Sequence, residues 1–524
     1  MNKIQSLKIK DLPEIERPRE KLEKTNIKFL TNTELLSILL GSGIRGKNVK
    51  KIAESLLKKF GNNLINTKLQ DLIKIKGIGK VRAEQIIAAF ELAKRLILKD
   101  QSNITIKNSE DIFNLYTQEE VYIDKTKKKY KDPFFDFKDV KQTDGIHGLH
   151  IYPAVMAYPI ADYLIENYSK ENNIVLDPFM GSGTTLVEAN IKKRYSYGID
   201  INPLAELITK VKLTPLDPLI LRNELEHILK EMETLKPDIP EIKNINLWFK
   251  DYVIEELGKI KKAIWQIKDN DVKDFFKISF SETIRSVSNC RNGFKLHRYS
   301  EEDLKKHNPN VKEYFYKKSL ENIYKLSSVK NKISKKHWFK IVKHISEIKY
   351  NEIDLIVTSP PYGDSKTTVA YGQFSRFSLE WLELNKINVD RESLGGKIIK
   401  NPVYDIYSET LFSTLEKISN KDRKRADEVF AFFYDLNIYL KEFARVVKPG
   451  GFMCIVVGNR TVKNVQIPTD EIIVELCRNN FIHHKTIIRE ILNKRMPNKN
   501  SPTNIVGDTV NTMLEEYIII LERK

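Results

Sequence analysis

Apolar residues follow helical spacing at the beginning of the chain and a mixture of strand-like and helical spacing further on. Thr31 and Glu34 precede the apolar run LLSILL with the separation of a helix capping box. Residues 49–60 carry apolar side chains at helical intervals, and LQDLIKIKGIGKVRAEQIIAAFELAKRLI predicts two helices joined by a glycine turn. We therefore predict a helical domain over residues 1–100.

Short apolar runs alternate with helical patterns in much of the remaining chain. The runs that predict strands occupy residues 173–176, 195–199, 353–357 and 452–457, with a closing pair near residue 486 and at residues 516–521. The sequence KPGG at 448–451 predicts a turn between a helix and the fourth of these strands. Such alternation predicts a doubly wound, largely parallel α/β sheet.

Changes in composition along the chain predict the domain boundaries. Residues 101–140 are polar and rich in lysine and aspartate, which is typical of a linker. The alternating pattern occupies residues 141–213 and 346–524. Between these two parts, residues 214–345 are charged, helix-prone and dotted with aromatic side chains, which predicts a mainly helical insertion.

The charge of the 524-residue chain permits a polyanionic partner. Its formal net charge is +18, which favours encounter with nucleic acid, although the abundance of lysine, asparagine and isoleucine also fits compositional drift. No apolar run is long enough to span a membrane, and the N-terminus lacks the pattern of a signal peptide. We expect a cytoplasmic protein without a membrane partner.

The chain has three cysteines, Cys290, Cys454 and Cys477. Because they are few, odd in number and far apart, they predict neither a disulfide framework nor a metal site. None follows a proline, which is the context of the nucleophilic cysteine used in ring-carbon cytosine methylation. That reaction class is therefore not expected.

Candidate functional residues follow three of the predicted strands, at the edge where open α/β sheets bind ligands. The first strand runs into DPFMGSGTT, whose glycines allow a sharp turn and a close approach to a ligand. The next strand ends at Asp200, an acid placed to accept hydrogen bonds from ribose hydroxyls. The candidate cofactor-binding residues are Asp177, Phe179, Gly181, Gly183, Thr184 and Asp200.

The third strand runs into TSPPY, residues 358–362, which closely resembles the catalytic motif of amino-group DNA methyltransferases. DPFMGSGTT resembles the cofactor loop of the same superfamily. The resemblance implies a Rossmann-like sheet, S-adenosylmethionine as the cofactor and double-stranded DNA as the substrate. The catalytic residues that it implies are Ser359, Pro360, Pro361 and Tyr362.

The chemistry of an exocyclic amine explains these residue types. Its lone pair is delocalised into the ring, and hydrogen bonds from its N–H groups to the Ser359 hydroxyl and the Pro360 carbonyl would let the nitrogen recover it. Tyr362 can stack on a base that has been flipped out of the duplex. Because Thr358-Ser359 replaces the aspartate common in adenine enzymes, we expect cytosine N4 as the target. Adenine N6 methylation, RNA base methylation and a non-catalytic DNA-bound scaffold are the alternatives.

The N-terminal domain carries a second resemblance. Gly77, Gly79 and Lys80, in KGIGK, resemble a helix-hairpin-helix that binds the DNA backbone. The wider stretch from RPREK to ELAKR is similar to the N-terminal region of RadC-type proteins. The alternative is a helical packing module with an ordinary glycine turn.

Two further segments flank the main motifs. HGLHIYPA, residues 147–154, resembles a segment that encloses the methionine end of the cofactor, and it fits surface histidines beside a turn equally well. Lys494 and Arg495 lie in a predicted loop between the last two strands and suit contact with DNA, and a solvated hairpin loop fits the same composition equally well.

The cofactor loop DPFMGSGTT precedes the TSPPY motif in the chain. This order resembles an arrangement in which a target-recognition region is inserted between the two halves of the catalytic domain. Residues 214–345 are therefore the candidate target-recognition region, and its aromatic side chains fit the insertion's own core equally well. The residues concerned are Trp248, Phe249, Trp265, Arg291, Phe294, Lys295 and Arg298. A cognate restriction or defence partner is compatible with this class of enzyme.

Overall fold

The computed structural model divides the chain into two compact units, Met1–Tyr122 and Ile123–Lys524. The described residues are 18–19, 22, 30–44, 48–60, 64, 67–99, 128–138, 140–141, 143–291, 293–363, 369–384, 388–397, 406–491 and 513–524. Among them, no helix is both long and apolar enough to cross a membrane.

The described part of the first unit is helical, as predicted. Its helices are α1 (Asn32–Leu40), α2 (Val49–Phe60), α3 (Leu69–Ile73) and α4 (Lys80–Lys99). The capping box is confirmed, because the Thr31 hydroxyl accepts the Glu34 amide at 3.2 Å and the Thr31 amide donates to Glu34 Oε2 at 2.8 Å. Ile52, Leu56 and Ile86 form part of a small apolar core that α2 shares with α4.

The second unit contains a large mixed sheet. The described strands are β1 (Lys129–Lys131), β2 (Ile174–Asp177), β3 (Tyr195–Gly198), β4 (Phe339–Ile341), β5 (Ile353–Thr358), β6 (Val447–Gly458), β7 (Thr461–Val462), β8 (Val465–Gln466), β9 (Phe481–Glu490) and β10 (Glu515–Arg523). The described helices are α5 (Tyr158–Tyr168), α6 (Thr184–Ile191), α7 (Pro203–Leu213), α8 (Pro218–Glu231), α9 (Ile245–Trp248), α10 (Asp251–Gln266), α11 (Asn270–Val287), α12 (Glu301–Lys306), α13 (Val311–Val329), α14 (Tyr371–Trp381), α15 (Val389–Glu392), α16 (Glu409–Ser419), α17 (Arg423–Val446) and α18 (Thr469–Cys477).

The eight strands of the main sheet lie in the order β4-β3-β2-β5-β6-β10-β9-β1. The neighbours from β4 to β6 are parallel, whereas β10 runs antiparallel to both β6 and β9. This topology confirms the predicted Rossmann-like α/β class. The carboxyl ends of β2, β3 and β5 consequently share one edge of the sheet, which is the edge that carries the candidate motifs.

Both faces of the sheet are covered by helices. Val175 and Leu355 face a core that includes α5, whereas their chain neighbours Leu176 and Ile356 face a core that includes α17. Successive strand residues point to opposite faces, so these central strands are apolar on both sides. This explains why they appear in the sequence as continuous apolar runs.

Two short strands lie in segments predicted to stand outside the sheet. β1 lies within the range predicted as a linker and pairs with β9, while β4 lies within the predicted insertion and pairs with β3. Three residues are too few to show a periodicity of two, so pairing with a neighbouring strand determines their structure.

The KPGG segment is a bulge within β6 instead of a separate turn ahead of it. Ile353 pairs with Val447 and Leu355 pairs with Phe452, so the extra residues of β6 loop out of the ladder between these two pairs. Gly450 has a φ of +75°, which a bulge of this kind requires. Helix α17 therefore leads directly into Val447, and the predicted turn lies inside β6, after its first residue, instead of between the helix and the strand.

The helices of residues 214–345 share one apolar core with α7 and α14. Phe249 is fully buried there, and Trp248 and Trp265 pack against the same cluster. These three aromatic side chains therefore belong to the core, which was the alternative to base recognition. By contrast, Phe294 is exposed.

Candidate active site

The ends of β2, β3 and β5 line a single cavity of about 460 Å³. The cofactor-binding candidates that line it are Asp177, Phe179, Gly181, Thr184 and Asp200, and the catalytic candidates that line it are Ser359 and Pro361. Gly183, Pro360 and Tyr362 are not among its lining residues. Segments separated by more than 150 residues in the sequence thus meet at one site, because parallel strands end at a common edge.

Asp177 joins the two main motifs. The Thr358 hydroxyl donates to Asp177 Oδ1 at 2.6 Å, and the Phe179 amide donates to the same oxygen at 3.1 Å. Asp177 is buried, and burial raises the pKa of its carboxyl to about 6. Thr358 is the residue that sequence reasoning missed here, although it stands inside the recognised TSPPY motif.

Asp200 holds the glycine loop in place from the end of β3. Its Oδ2 accepts the Gly181 amide at 2.9 Å, and its Oδ1 accepts the Asn202 amide at 2.8 Å. Burial raises the pKa of the Asp200 carboxyl to about 7. Each carboxylate oxygen can accept a further hydrogen bond, so Asp200 retains capacity for a ligand in the cavity.

Two hydroxyl groups of the glycine loop lie buried in the cavity wall without a partner among the described residues. Ser182 Oγ and Thr184 Oγ1 make no hydrogen bond within that part of the chain, although both residues are almost fully buried. Buried polar groups are normally satisfied, because leaving one unpaired costs about 1–3 kcal/mol. Both residues line the cavity at the start of α6, although the two oxygens themselves are closed to solvent.

The two glycines of the loop have different neighbours. Gly181 (φ +49°) lies against the ring of Tyr152, at a distance where a side chain would press on the cavity wall. Gly183 (φ +79°) faces α7 instead, because a Cβ there would lie 2.5 Å from Thr209 Oγ1 and 2.6 Å from Thr209 Cγ2. Gly183 therefore permits close packing of α6 on α7, and its missing side chain makes no room for a ligand.

Replacing Gly183 with alanine is expected to destabilise the protein more than the same change at Gly450. Both glycines have a φ near +75° to +79°, but no atom of the described residues lies within 4 Å of a Cβ at Gly450. Backbone strain, about 1–3 kcal/mol, is common to both variants. Contact with Thr209 adds about 1–3 kcal/mol for Gly183→Ala alone. Denaturant unfolding measures the difference, and equal losses would contradict the packing role.

The catalytic motif presents its residues in two directions. Ser359 and Pro361 face the cavity, whereas the Tyr362 hydroxyl donates to Glu516 Oε1 at 2.8 Å. The Ser359 and Tyr362 hydroxyls are 3.4 Å apart. Glu516 belongs to β10, far from the motif in sequence, and no local signal identifies it.

The histidines upstream of the cofactor loop are buried, so the alternative of two surface histidines is wrong. His147 Nε2 lies 2.7 Å from Glu188 Oε1, and His150 Nε2 lies 2.8 Å from Ser281 Oγ. Burial lowers the pKa of His150 to about 4, so its ring is neutral at pH 7. Tyr152 from the same segment lines the cavity.

Within the described residues, no cluster of three or more His, Cys, Asp or Glu side chains could hold a metal ion.

The remaining insertion candidates lie on the surface. Arg291 pairs with Asp303 at 3.0 Å and Arg298 pairs with Glu301 at 2.7 Å, while Lys295 is exposed. The Phe294 ring packs against Phe374 with a centroid distance of 5.9 Å. These groups remain accessible to a large partner such as DNA.

The DNA-binding candidates of the first unit flank the turn between α3 and α4. A Cβ at Gly77 would lie 2.8 Å from Ile52 Cδ1, so this glycine lets the turn pack on α2. Gly79 has open space around it as far as the described residues extend, and Lys80 is exposed at the first position of α4. Lys494 and Arg495, the other two candidates, lie outside the described residues.

Comparison with known proteins identifies both parts of the chain. The family described as "DNA methylase" matches residues 353–523, and the family described as "UPF0758 N-terminal" matches residues 9–84. The chain is 42% identical over 443 residues to the type II methyltransferase M.MvaI of Kocuria varians, which covers 76% of this chain and 96% of that protein.

Two further similarities are more limited. A UPF0758 protein of Clostridium botulinum is 39% identical over 127 residues, which is 24% of this chain and 56% of that protein. The chain thus spans about half of that relative's length. The solved rRNA methyltransferase aviRa from Streptomyces viridochromogenes matches 72% of this chain and 88% of its own with 8% identity and a TM-score of 0.25, an overlap too weak to bear on the fold.

The chain belongs to the family of type II DNA methyltransferases that carry the N6/N4 methylase domain. It joins that domain to a UPF0758 N-terminal domain, which confirms the resemblances to amino-group DNA methyltransferases and to the N-terminal region of RadC-type proteins. Enzymes of this family generally use S-adenosylmethionine as the methyl donor.

Proposed function

We propose that the protein transfers a methyl group from S-adenosylmethionine to the exocyclic N4 of cytosine in double-stranded DNA. The main support is that Ser359 faces the same cavity as Asp200, while the Thr358–Asp177 hydrogen bond holds the two motifs together. The cavity thereby brings a cofactor-binding loop and acceptors for an amine to one place.

The residues of the cavity suit S-adenosylmethionine. We assign Asp200 to the ribose hydroxyls, and the start of α6, where Ser182 and Thr184 line the cavity, to the polar amino-acid end. Gly181 brings the backbone close to the ligand. When bound, the sulfonium supplies an already activated methyl group, so alignment carries most of the rate enhancement.

The affinity for S-adenosylmethionine is expected to rise as the pH increases from about 6 to about 8, because Asp200 ionises near pH 7 and its carboxylate is a stronger acceptor than the neutral acid. The pKa of Asp200 in the folded protein lies above its ordinary value. The free energy of unfolding therefore decreases as the pH rises from about 4 to about 7, because the unfolded chain ionises this carboxyl first. Calorimetry at several pH values measures the affinity. Asp200→Asn should lose this part of the pH dependence, and an unchanged profile would contradict the assignment.

At the reacting nitrogen, the Ser359 hydroxyl and the Pro360 carbonyl accept hydrogen bonds from the amine, which localises its lone pair toward the methyl donor. Consecutive prolines hold this backbone rigid. The Thr358 hydroxyl donates to Asp177, so the Thr358 side chain is held against that carboxyl group. Of the two hydroxyl residues Thr358 and Ser359, Ser359 is therefore the one that faces the base. A neutral serine hydroxyl where adenine enzymes often have aspartate supports cytosine N4.

The cysteines support direct transfer without a covalent intermediate. Cys290, Cys454 and Cys477 are all buried, and burial raises the pKa of each thiol above its ordinary value. A thiol in such surroundings is a poor source of thiolate.

The nature of the methylated base tests the proposed function. The purified protein is incubated with unmethylated DNA and S-adenosylmethionine, and the digested DNA is analysed by mass spectrometry. N4-methylcytosine is the expected product, and sequencing of the treated DNA gives the recognition site. N6-methyladenine would overturn the choice of base, and 5-methylcytosine would overturn the mechanism.

We propose the following organisation for DNA recognition. Residues 214–345 form the target-recognition region, which contacts bases through the exposed side chains of Arg291, Phe294, Lys295 and Arg298. Lys494 and Arg495 add contacts from the last loop, and Gly77, Gly79 and Lys80 bind the backbone. A restriction enzyme that acts together with this protein would cut the same DNA sequence that the protein methylates. Mapping the methylated sequence therefore gives the site at which cleavage by such a partner can be tested.

Deleting residues 1–100 is expected to weaken DNA binding without changing the methylated sequence, because a helix-hairpin-helix binds phosphates and not base edges. The slope of log K against log salt should become shallower by about 0.9 for each phosphate that the truncated protein no longer neutralises. Filter binding at several salt concentrations measures this slope. Unchanged affinity and slope would support a packing module, and a new recognition sequence would show that this domain reads bases.

A further inference from the structure

We propose that Glu516 is a positioning residue for Tyr362, holding the aromatic ring in the orientation in which it receives the flipped base. This inference rests on the proposed function, since it assigns a partner to the tyrosine of the catalytic motif. Glu516 lies on β10, more than 150 residues beyond that motif, and its carboxylate accepts the Tyr362 hydroxyl at 2.8 Å.

The ring is also restrained along its side. A Cβ at Gly458, the last residue of β6, would overlap Met513 Sδ and lie 3.0 Å from Tyr362 Cδ2, so the absence of a side chain leaves space that Met513 and the edge of the Tyr362 ring share. Tyr362 packs against the apolar core on this face of the sheet. Its hydroxyl also lies 3.4 Å from Ser359 Oγ, so the same contacts bear on the acceptor that faces the amine.

Glu516 is itself held from the opposite side. It pairs in the ladder with Gly458 on β6 and with Arg489 on β9. Arg489 is 5% exposed, and its Nε lies 3.5 Å from Glu516 Oε2. One carboxylate oxygen thus lies in an ion pair with a buried guanidinium, without a hydrogen bond from Arg489 Nε, and the other accepts the phenol.

The charge arrangement keeps the tyrosine a hydrogen-bond donor. Burial and the neighbouring Glu516 carboxylate raise the pKa of Tyr362 well above its ordinary value, so the phenol stays protonated across the working range of pH. A ring that is oriented before the base arrives loses less conformational entropy when the base stacks on it. Glu516 therefore acts on the rate of transfer through Tyr362 and not through the cofactor.

A double-mutant cycle tests this coupling. Glu516→Gln keeps an acceptor but makes it neutral, and it should lower the single-turnover rate about five- to tenfold while the affinity for S-adenosylmethionine stays the same. Tyr362→Phe should cause a similar loss. In the double variant the two losses should not multiply, and its rate should match that of Tyr362→Phe within about twofold.

Glu522→Gln is the matched control, because Glu522 lies on the same strand and its Oε2 forms a hydrogen bond with His484 Nε2 at 2.5 Å, away from the motif. Its rate should equal that of the unmodified protein. Multiplying losses in the cycle, or full activity in Glu516→Gln, would overturn the proposal. If the product is N6-methyladenine, the rates of the Glu516 and Tyr362 variants can still be compared. An incorrect assignment of the base is therefore distinguishable from an absence of coupling between Glu516 and Tyr362.

A second measurement covers the case in which Glu516→Gln does not fold, since that change leaves Arg489 without its ion-pair partner. Tyr362→Phe retains the ion pair, so this variant should fold. With 2-aminopurine at the mapped target position of a duplex, it should show brighter emission than the unmodified protein, because a loosely held ring quenches the flipped base less. Equal emission together with an equal rate would overturn the role of the hydroxyl and hence of Glu516.

Discussion

Replacing Ser359 with alanine is expected to lower the single-turnover rate of methyl transfer about 100-fold, because a positioned group that stabilises developing charge at the reaction centre is removed. Tyr362→Ala should reduce the rate through a different cause, the loss of a stacking surface that contributes about 1–3 kcal/mol, or about 5- to 150-fold beyond the loss expected for Tyr362→Phe. Rapid quenching followed by mass spectrometry of the methylated base measures both rates.

Two comparisons separate hydrogen bonding from stacking in this motif. Tyr362→Phe keeps the aromatic surface and should retain much more activity than Tyr362→Ala. Both Tyr362 variants and Ser359→Ala should bind S-adenosylmethionine normally, because neither side chain is assigned to the cofactor. Normal turnover by Ser359→Ala or Tyr362→Ala would show that the reacting amine is held elsewhere.

Replacing Asp200 with alanine is expected to raise the dissociation constant for S-adenosylmethionine about 100-fold or more, since a hydrogen bond to a charged acceptor contributes about 1.5–3 kcal/mol and the ribose offers two donors. The variant also frees the Gly181 amide, which Asp200 accepts at 2.9 Å, so the loop loses an anchor. Calorimetry measures the affinity directly.

Glu206→Ala provides a control for the charge near this site. Glu206 lies on α7, and Lys343 pairs with it. It is not among the residues that line the cavity, although its charge helps to raise the pKa of Asp200. At a pH of about 8 or above, where Asp200 is ionised in both proteins, removal of Glu206 should therefore leave the affinity nearly unchanged. Unchanged affinity in Asp200→Ala would remove Asp200 from the cofactor site.

Local patterns were sufficient for the fold class and the two motifs. The central strands are buried on both faces, so they appear as apolar runs, and the helices show apolar spacing or capping residues such as Thr31 and Glu34. DPFMGSGTT and TSPPY are contiguous in sequence and follow β2 and β5 directly. Chemistry that depends on neighbours in the chain is therefore predictable from the sequence.

Partners that are remote in sequence were not predictable in this way. Glu516 meets Tyr362 and Thr358 meets Asp177 only because β10, β5 and β2 are placed in register within one sheet. The two histidines before the cofactor loop lie between apolar residues, and their burial depends on remote partners, Glu188 on α6 for His147 and Ser281 on α11 for His150.

The sequence by itself determined the class of fold, the cofactor loop, the catalytic motif and the presence of an added helical domain, because each depends on a local pattern of residues. The tertiary structure decided which side chains face the cavity, which glycine serves packing in place of ligand access, and which distant carboxylate accepts the Tyr362 hydroxyl. These features depend on strand order and register, which arise from the free energy of packing the whole domain and are not encoded in any single segment.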